Sequence, residues 1–89
     1  MRELDVKTIH DRLTSGEDLL LLDIREPFER ELAALPFDTL HISMNDLPTR
    51  LDTLPRDRDI VVFCHLAQRS AYVVQQLNEM GFTNLINMR

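Results

Sequence analysis

Ile60-Val61-Val62-Phe63-Cys64-His65-Leu66-Ala67-Gln68-Arg69-Ser70 is the stretch on which the fold turns. Its first four residues are β-branched or aromatic throughout, the composition of a strand buried on both faces. A loop follows, and from about Gln68 to Met80 the apolar positions recur at helical spacing. Ala71, Val74 and Leu77 form the inner stripe of that helix, with Tyr72, Val73 and Met80 flanking it. Gly81 stands at the C-terminal stop.

The same alternation repeats outward. Leu19-Leu20-Leu21-Leu22-Asp23-Ile24 is a short continuous apolar run whose length fits another buried strand. Arg25-Glu26-Pro27 then opens a helix, with Pro27 in the first turn where its missing N–H costs little. Phe28, Leu32 and Leu35 give that helix an apolar stripe, and Pro36 ends it. Thr39 to Ile42 reads as a brief strand. Asn45 or Asp46 caps a short helix that buries Leu47, Leu51 and Leu54, and Phe82 to Ile86 supplies a last strand. At the beginning, Asp5 caps a helix carrying Val6, Ile9 and Leu13, stopped by Gly16. Strands alternating with helices through short connections imply parallel βαβ units in an α/β domain, its sheet covered on both faces. Ligands of such sheets bind at the carboxyl ends of the strands. Two polar features fall on that edge: Asp23 with Arg25, and Cys64.

Length and composition exclude several classes. Eighty-nine residues make one small domain, 1–89. Ten Lys+Arg against fifteen Asp+Glu leave a net charge of −5, the wrong sign for a nucleic-acid or anionic-membrane partner. The longest leucine run is Leu19 to Leu22, far short of the roughly 20 apolar residues a membrane span needs. The first ten residues, MRELDVKTIH, lack the apolar stretch of an export signal. Cys64 is the one cysteine, so there is no internal disulfide, and no Cys/His set for zinc. No metal is expected, and the expected location is the reducing cytoplasm.

Position makes Cys64 interesting. Amides of a strand-to-helix loop turn inward, the first helical N–H groups have no partner, and the helix dipole adds about half a positive charge. Such a setting lowers a thiol pKa from about 8.5 to roughly 3.5–7.5. Periodicity alone leaves a plainer alternative open. A cysteine ending an apolar strand also serves as a small core residue. Arg69 and Ser70 then become ordinary helix-start residues.

The chain resembles the rhodanese-like sulfurtransferase domain over nearly its whole length. The matching stretches are Leu19–Glu26 (LLLLDIRE), Leu47–Leu54 (LPTRLDTL), Ile60–Ser70 (IVVFCHLAQRS) and Met80–Asn87 (MGFTNLIN). The resemblance implies a five-stranded, mainly parallel sheet with helices on both faces. It implies that Cys64, as a thiolate, takes a sulfane sulfur from a donor such as thiosulfate or a persulfide-carrying protein. The resulting persulfide would be held by loop residues His65, Leu66, Ala67, Gln68, Arg69 and Ser70. A thiol, cyanide or thiocarboxylate carrier would then accept the outer sulfur, and the resemblance implies no organic cofactor. Arg69 would attract an anionic donor, while Asp23 and Arg25 would hold the neighbouring loops in place. Glu26 would start a helix.

Four departures stand out. Ala67 replaces the family's usual glycine, where a left-handed conformation would cost alanine about 1 kcal/mol. Ala33-Ala34-Leu35-Pro36-Phe37-Asp38 lacks the histidine and both glycines of the usual stretch. His65 and Leu66 replace more polar loop residues, and Leu66 would give the pocket an apolar rim suited to a protein or hydrophobic donor. Family members usually continue past the last strand into a closing helix, so a truncated C-terminal end is expected.

Two other functions compete. A cysteine-dependent phosphatase or arsenate reductase needs five residues between Cys and Arg, but Arg69 arrives one residue too soon and Ser70 holds the required place. A non-enzymatic binding or regulatory module of the same fold would typically have lost the cysteine.

Overall fold

Short apolar strands must bury both faces, and the computed structural model, which describes residues 1–89, shows what covers them. The strands are β1 (Glu3–Leu4), β2 (Leu20–Asp23), β3 (Leu40–His41), β4 (Ile60–Phe63) and β5 (Leu85–Met88). All pair in parallel, in the spatial order β1-β5-β4-β2-β3. The best strand of the sequence, β4, is therefore central, and all four of its residues are buried.

Register sorts the core into two layers. Leu21 lies opposite Val61 and Leu22 opposite Val62, so alternate side chains share a face. Leu22, Ile60, Val62 and Leu85 meet Val73, Val74 and Leu77 of α3 (Gln68–Glu79). Leu47, in the first of two successive 3₁₀ turns (Met44–Thr49 and Leu51–Thr53), and Leu54, just after the second, complete that layer. Leu21, Val61, Phe63, Ile86 and Met88 point the other way, onto Ile9 of α1 (Val6–Thr14) and onto Leu35 and Phe37. The sheet is covered on both faces, as the alternation of elements implies.

Local signals fix most boundaries. Asp5 caps α1, its Oδ1 accepting the Thr8 N–H at 2.8 Å. Gly16, at φ +93°, turns the chain out of that helix. Pro27 begins α2 (Pro27–Leu32), and Glu26 with Glu29 closes a reciprocal capping box.

Other boundaries differ from the sequence reading. The second helix ends at Leu32, four residues before Pro36, and buries none of its side chains. Phe28 and Leu32 are 63% and 82% exposed, so the expected inward stripe faces outward. Leu35 packs against the α1 layer from non-helical backbone instead. The central short helix is a pair of 3₁₀ turns with Pro48 inside, capped at Ser43 rather than Asn45 or Asp46. Pro48 has no N–H for an α-helical ladder. The last strand runs Leu85–Met88, not Phe82–Ile86. Phe82 is buried, but its N–H goes to Leu77 O at 3.1 Å, closing α3. Two residues of β1, too short for any periodicity, pair with Asn87 and Met88. No helix is long and apolar enough to cross a membrane.

Candidate active site

Asp23 and Phe63 end neighbouring strands in matching register, so the loops after β2 and β4 emerge side by side. Cys64 is the first residue beyond β4. Between it and α3 the chain has to reverse within a few residues. Ala67 makes the turn at φ 65°, ψ −3°, the only non-glycine residue with positive φ. The reversal directs the first amides of α3 at the sulfur.

The Ser70 N–H donates to Cys64 Sγ at 3.3 Å. Ser70 Oγ stands 3.5 Å from the same sulfur and also donates to Ala67 O at 3.1 Å. A hydroxyl carries one proton, so these contacts depend on ionisation. With a neutral thiol, S–H donates to Ser70 Oγ and the hydroxyl proton goes to Ala67 O. With a thiolate, the hydroxyl proton can swing to sulfur. Burial is the largest single influence on Cys64 and pushes its pKa up. The Ser70 hydroxyl and the backbone N–H groups of Ser70, Arg69 and Leu66 oppose it and prevail. The thiol is held below its ordinary value. This is an anion-stabilising ring of main-chain dipoles, the arrangement that the strand–loop–helix reading anticipates.

Cys64 is only 7% exposed and counts among the residues of the α3-side core. It nonetheless borders two open cavities. One, of about 130 Å³, is bounded by Glu29, His65, Leu66, Gln68 and Arg69. The other, of about 150 Å³, approaches past Arg25, Ala33, Phe63 and Met88. A larger groove of about 190 Å³ runs between the 3₁₀ turns and α3, but it holds no thiol, carboxylate or cation. The side chains able to do chemistry line the two smaller spaces. His65, Leu66, Gln68 and Arg69 thus surround the sulfur, Ser70 donates to it, and Ala67 shapes the loop.

Arg69, which the resemblance casts as the group that attracts an anionic donor, is engaged by a carboxylate of α2. Its Nη1 and Nη2 donate to Glu29 Oε1 and Oε2 at 2.8 and 2.6 Å. The hydrogen bond from Arg69, with the Glu26 N–H, drives the Glu29 pKa down to about 2. Glu29 joins α2 to the start of α3, and its sequence signal was only the capping spacing after Glu26. Nothing local reveals a partner 40 positions away.

Asp23 and Arg25 form a separate knot under the loops. Asp23 is 1% exposed. Its Oδ1 accepts from the Arg25 backbone N–H and Nε, both at 3.0 Å, and its Oδ2 from Arg25 Nη2 at 3.0 Å. Arg30 Nε adds a contact at 3.1 Å that the sequence did not announce. Arg25 Nη1 donates to Ala33 O at 2.7 Å, and its guanidinium lies over the Phe63 ring, 5.3 Å from the centroid. His41 Nε2 donates to the Arg25 carbonyl at 2.7 Å, which ties β3 to the same loop. No three His, Cys, Asp or Glu side chains converge as metal ligands would.

Known proteins agree with this architecture. The sequence profile of the rhodanese-like domain matches residues 5–89. A sulfurtransferase of Allochromatium vinosum is 35% identical over 89 residues, spanning all of this chain and 82% of that one. The crystal structure of a rhodanese-related protein from Thermoplasma volcanium superposes with a TM-score of 0.86 at 25% identity, covering all of this chain and 84% of that one. A human single-domain sulfurtransferase shares the fold, with a TM-score of 0.81 at 22% identity over 99% of this chain and 88% of that one. The relatives support a sulfurtransferase-type role. By profile, sequence and architecture alike, the chain belongs to the rhodanese-like domain family.

Proposed function

We propose that this protein moves sulfane sulfur through a persulfide on Cys64. The observation that carries the reading is the sulfur at the end of β4, facing the Ser70 amide and hydroxyl and open to a cavity. In the first half-reaction the Cys64 thiolate attacks the outer sulfur of a donor. With thiosulfate, the S–S bond breaks, sulfite leaves with its electron pair, and Cys64 carries S–S⁻. In the second half-reaction an acceptor nucleophile takes the outer sulfur and the thiolate returns. With cyanide as acceptor the product is thiocyanate. Atoms and charge balance in both halves, and no external oxidant is needed. Dividing one transfer into two displacements is covalent catalysis.

The protein's part is to keep the anion. Before transfer, the loop amides and Ser70 stabilise the thiolate. After transfer, the same donors face a persulfide whose charge sits one atom further out, toward the cavity of about 130 Å³. Asp23 and Arg25 act at a distance by fixing the loop after β2. In the cell, the donor is thiosulfate or a persulfide-carrying protein, and the acceptor is a thiol or a thiocarboxylate carrier.

Incubation with a sulfane donor should add the mass of one sulfur to Cys64. That adduct should be absent in Cys64→Ala, and Cys64→Ser should form no thiocyanate. Full thiosulfate:cyanide activity in Cys64→Ser would overturn the reading. A wild-type protein that never acquires the sulfur would instead be a binding module of the same fold.

A further inference from the structure

The cavity beside Cys64 contains one permanent cation, Arg69, and one carboxylate, Glu29. Both Nη atoms of Arg69 are committed to Glu29, at 2.8 and 2.6 Å. Glu29 is itself fixed, because its Oε1 also accepts the Glu26 N–H at 3.1 Å in the cap of α2. The pair cancels, so an ionised Cys64 leaves the cavity lining with an excess of negative charge. The whole chain adds to it with a net charge of −5. A dianion entering here meets no unpaired cation. It does meet Leu66, 70% exposed at the rim. Like-charge approach is disfavoured, and apolar surface favours an apolar substituent.

On the sulfur-transfer reading, we propose that Glu29 is a specificity-determining residue. By holding Arg69 in a two-pronged ion pair, it biases Cys64 against dianionic donors and toward donors of lower charge with an apolar group beside the sulfane sulfur. Alkyl thiosulfonates and alkyl persulfides are such donors. With a thiosulfonate, the Cys64 thiolate bonds to the outer sulfur, the S–S bond to the sulfonyl group breaks, and a sulfinate leaves. The step needs no other reactant.

Thiosulfate and methanethiosulfonate test this directly, because they present the same outer sulfur and differ by one charge and a methyl group. Glu29→Gln removes the charge but keeps an oxygen for the Glu26 amide. With cyanide as acceptor, it should raise kcat/KM for thiosulfate about tenfold relative to methanethiosulfonate, chiefly through KM, the scale of one freed charged hydrogen bond. The gain should vanish in Glu29→Gln/Arg69→Met. An unchanged ratio, or an equal fall with both donors, would sink the proposal. A second measurement needs no variant. In the wild type, added salt should raise thiosulfate use relative to methanethiosulfonate, as screening relieves repulsion. A fall would mean that an unpaired cation draws the dianion in, which also overturns it. Failure of the underlying reading looks different: neither donor would then leave sulfur on Cys64.

Discussion

Ala67 shows how one side chain bears on the chemistry. Its φ of 65° lies in the left-handed region, where a Cβ crowds the backbone. The sequence flagged the position as a departure from glycine. Whether the loop needs positive φ there was not legible, because the answer depends on where the first amides of α3 must point. Ala67→Gly should therefore stabilise the protein by about 1 kcal/mol, read as a higher urea midpoint with an unchanged slope. A lower midpoint would mean that the unfolded-state entropy of glycine outweighs the strain.

Ser70 belongs to the same scale. Sequence reading placed it at the helix start and, by resemblance, among the residues that would hold the persulfide, but its hydroxyl beside the sulfur came only with the folded loop. Ser70→Ala removes a donor that favours the thiolate, while the amides remain. The Cys64 pKa should rise, because the lost hydrogen bond favours the charged form. The pH profile of alkylation by iodoacetamide should move to higher pH. An unmoved profile would leave the amides alone in control. Linkage has a fixed sign here. A thiol depressed by folding stabilises the native state above its unfolded value, near pH 8.5, and that contribution fades as pH falls through the folded value.

At the scale of elements, α2 is where periodicity misled. Phe28 and Leu32 are four apart and share a face, but that face meets water. The helix has six residues and sits beyond the carboxyl edge of the sheet, held by ion pairs of Glu29 and Arg30 rather than by an apolar layer. A hydrophobic pattern cannot announce an anchor whose partners, Asp23 and Arg69, lie on other elements. Phe28→Gln and Leu32→Gln should each change stability by less than about 0.5 kcal/mol in urea unfolding. A loss of about 2 kcal/mol would show that the stripe is covered after all. The Glu29–Arg69 ion pair should persist well into acid pH. Glu29 is depressed to about 2, so its contribution is complete above its ordinary value and is lost only as pH falls toward 2. The last strand taught a related lesson. Phe82 looks like strand material, but next to Gly81 it closes α3. Asn84 holds the carbonyls of Pro55 and Arg58 at 2.9 and 2.6 Å, and only then does pairing begin.

For the whole molecule, the alternation of apolar runs gave the parallel sheet its strands, because β2 and β4 are buried on both faces and had to read as continuous apolar segments. The order β1-β5-β4-β2-β3 places their ends side by side, which brings Asp23 and Cys64 to one edge. Asp23 tests whether that edge is structural support or chemistry. It is buried and accepts from Arg25 and Arg30, and no hydrogen bond links it to the thiol. Asp23→Asn leaves the buried Arg25 guanidinium without its counter-charge, a loss of about 3–5 kcal/mol. Typical domains have only about 5–15 kcal/mol in all, so the urea midpoint should fall sharply. In the fraction that remains folded, the alkylation pH profile of Cys64 should stay where it is, because the donors to sulfur come from the loop and α3. A shifted profile at unchanged stability would reverse the assignment and put Asp23 among the groups that set the charge of the thiol.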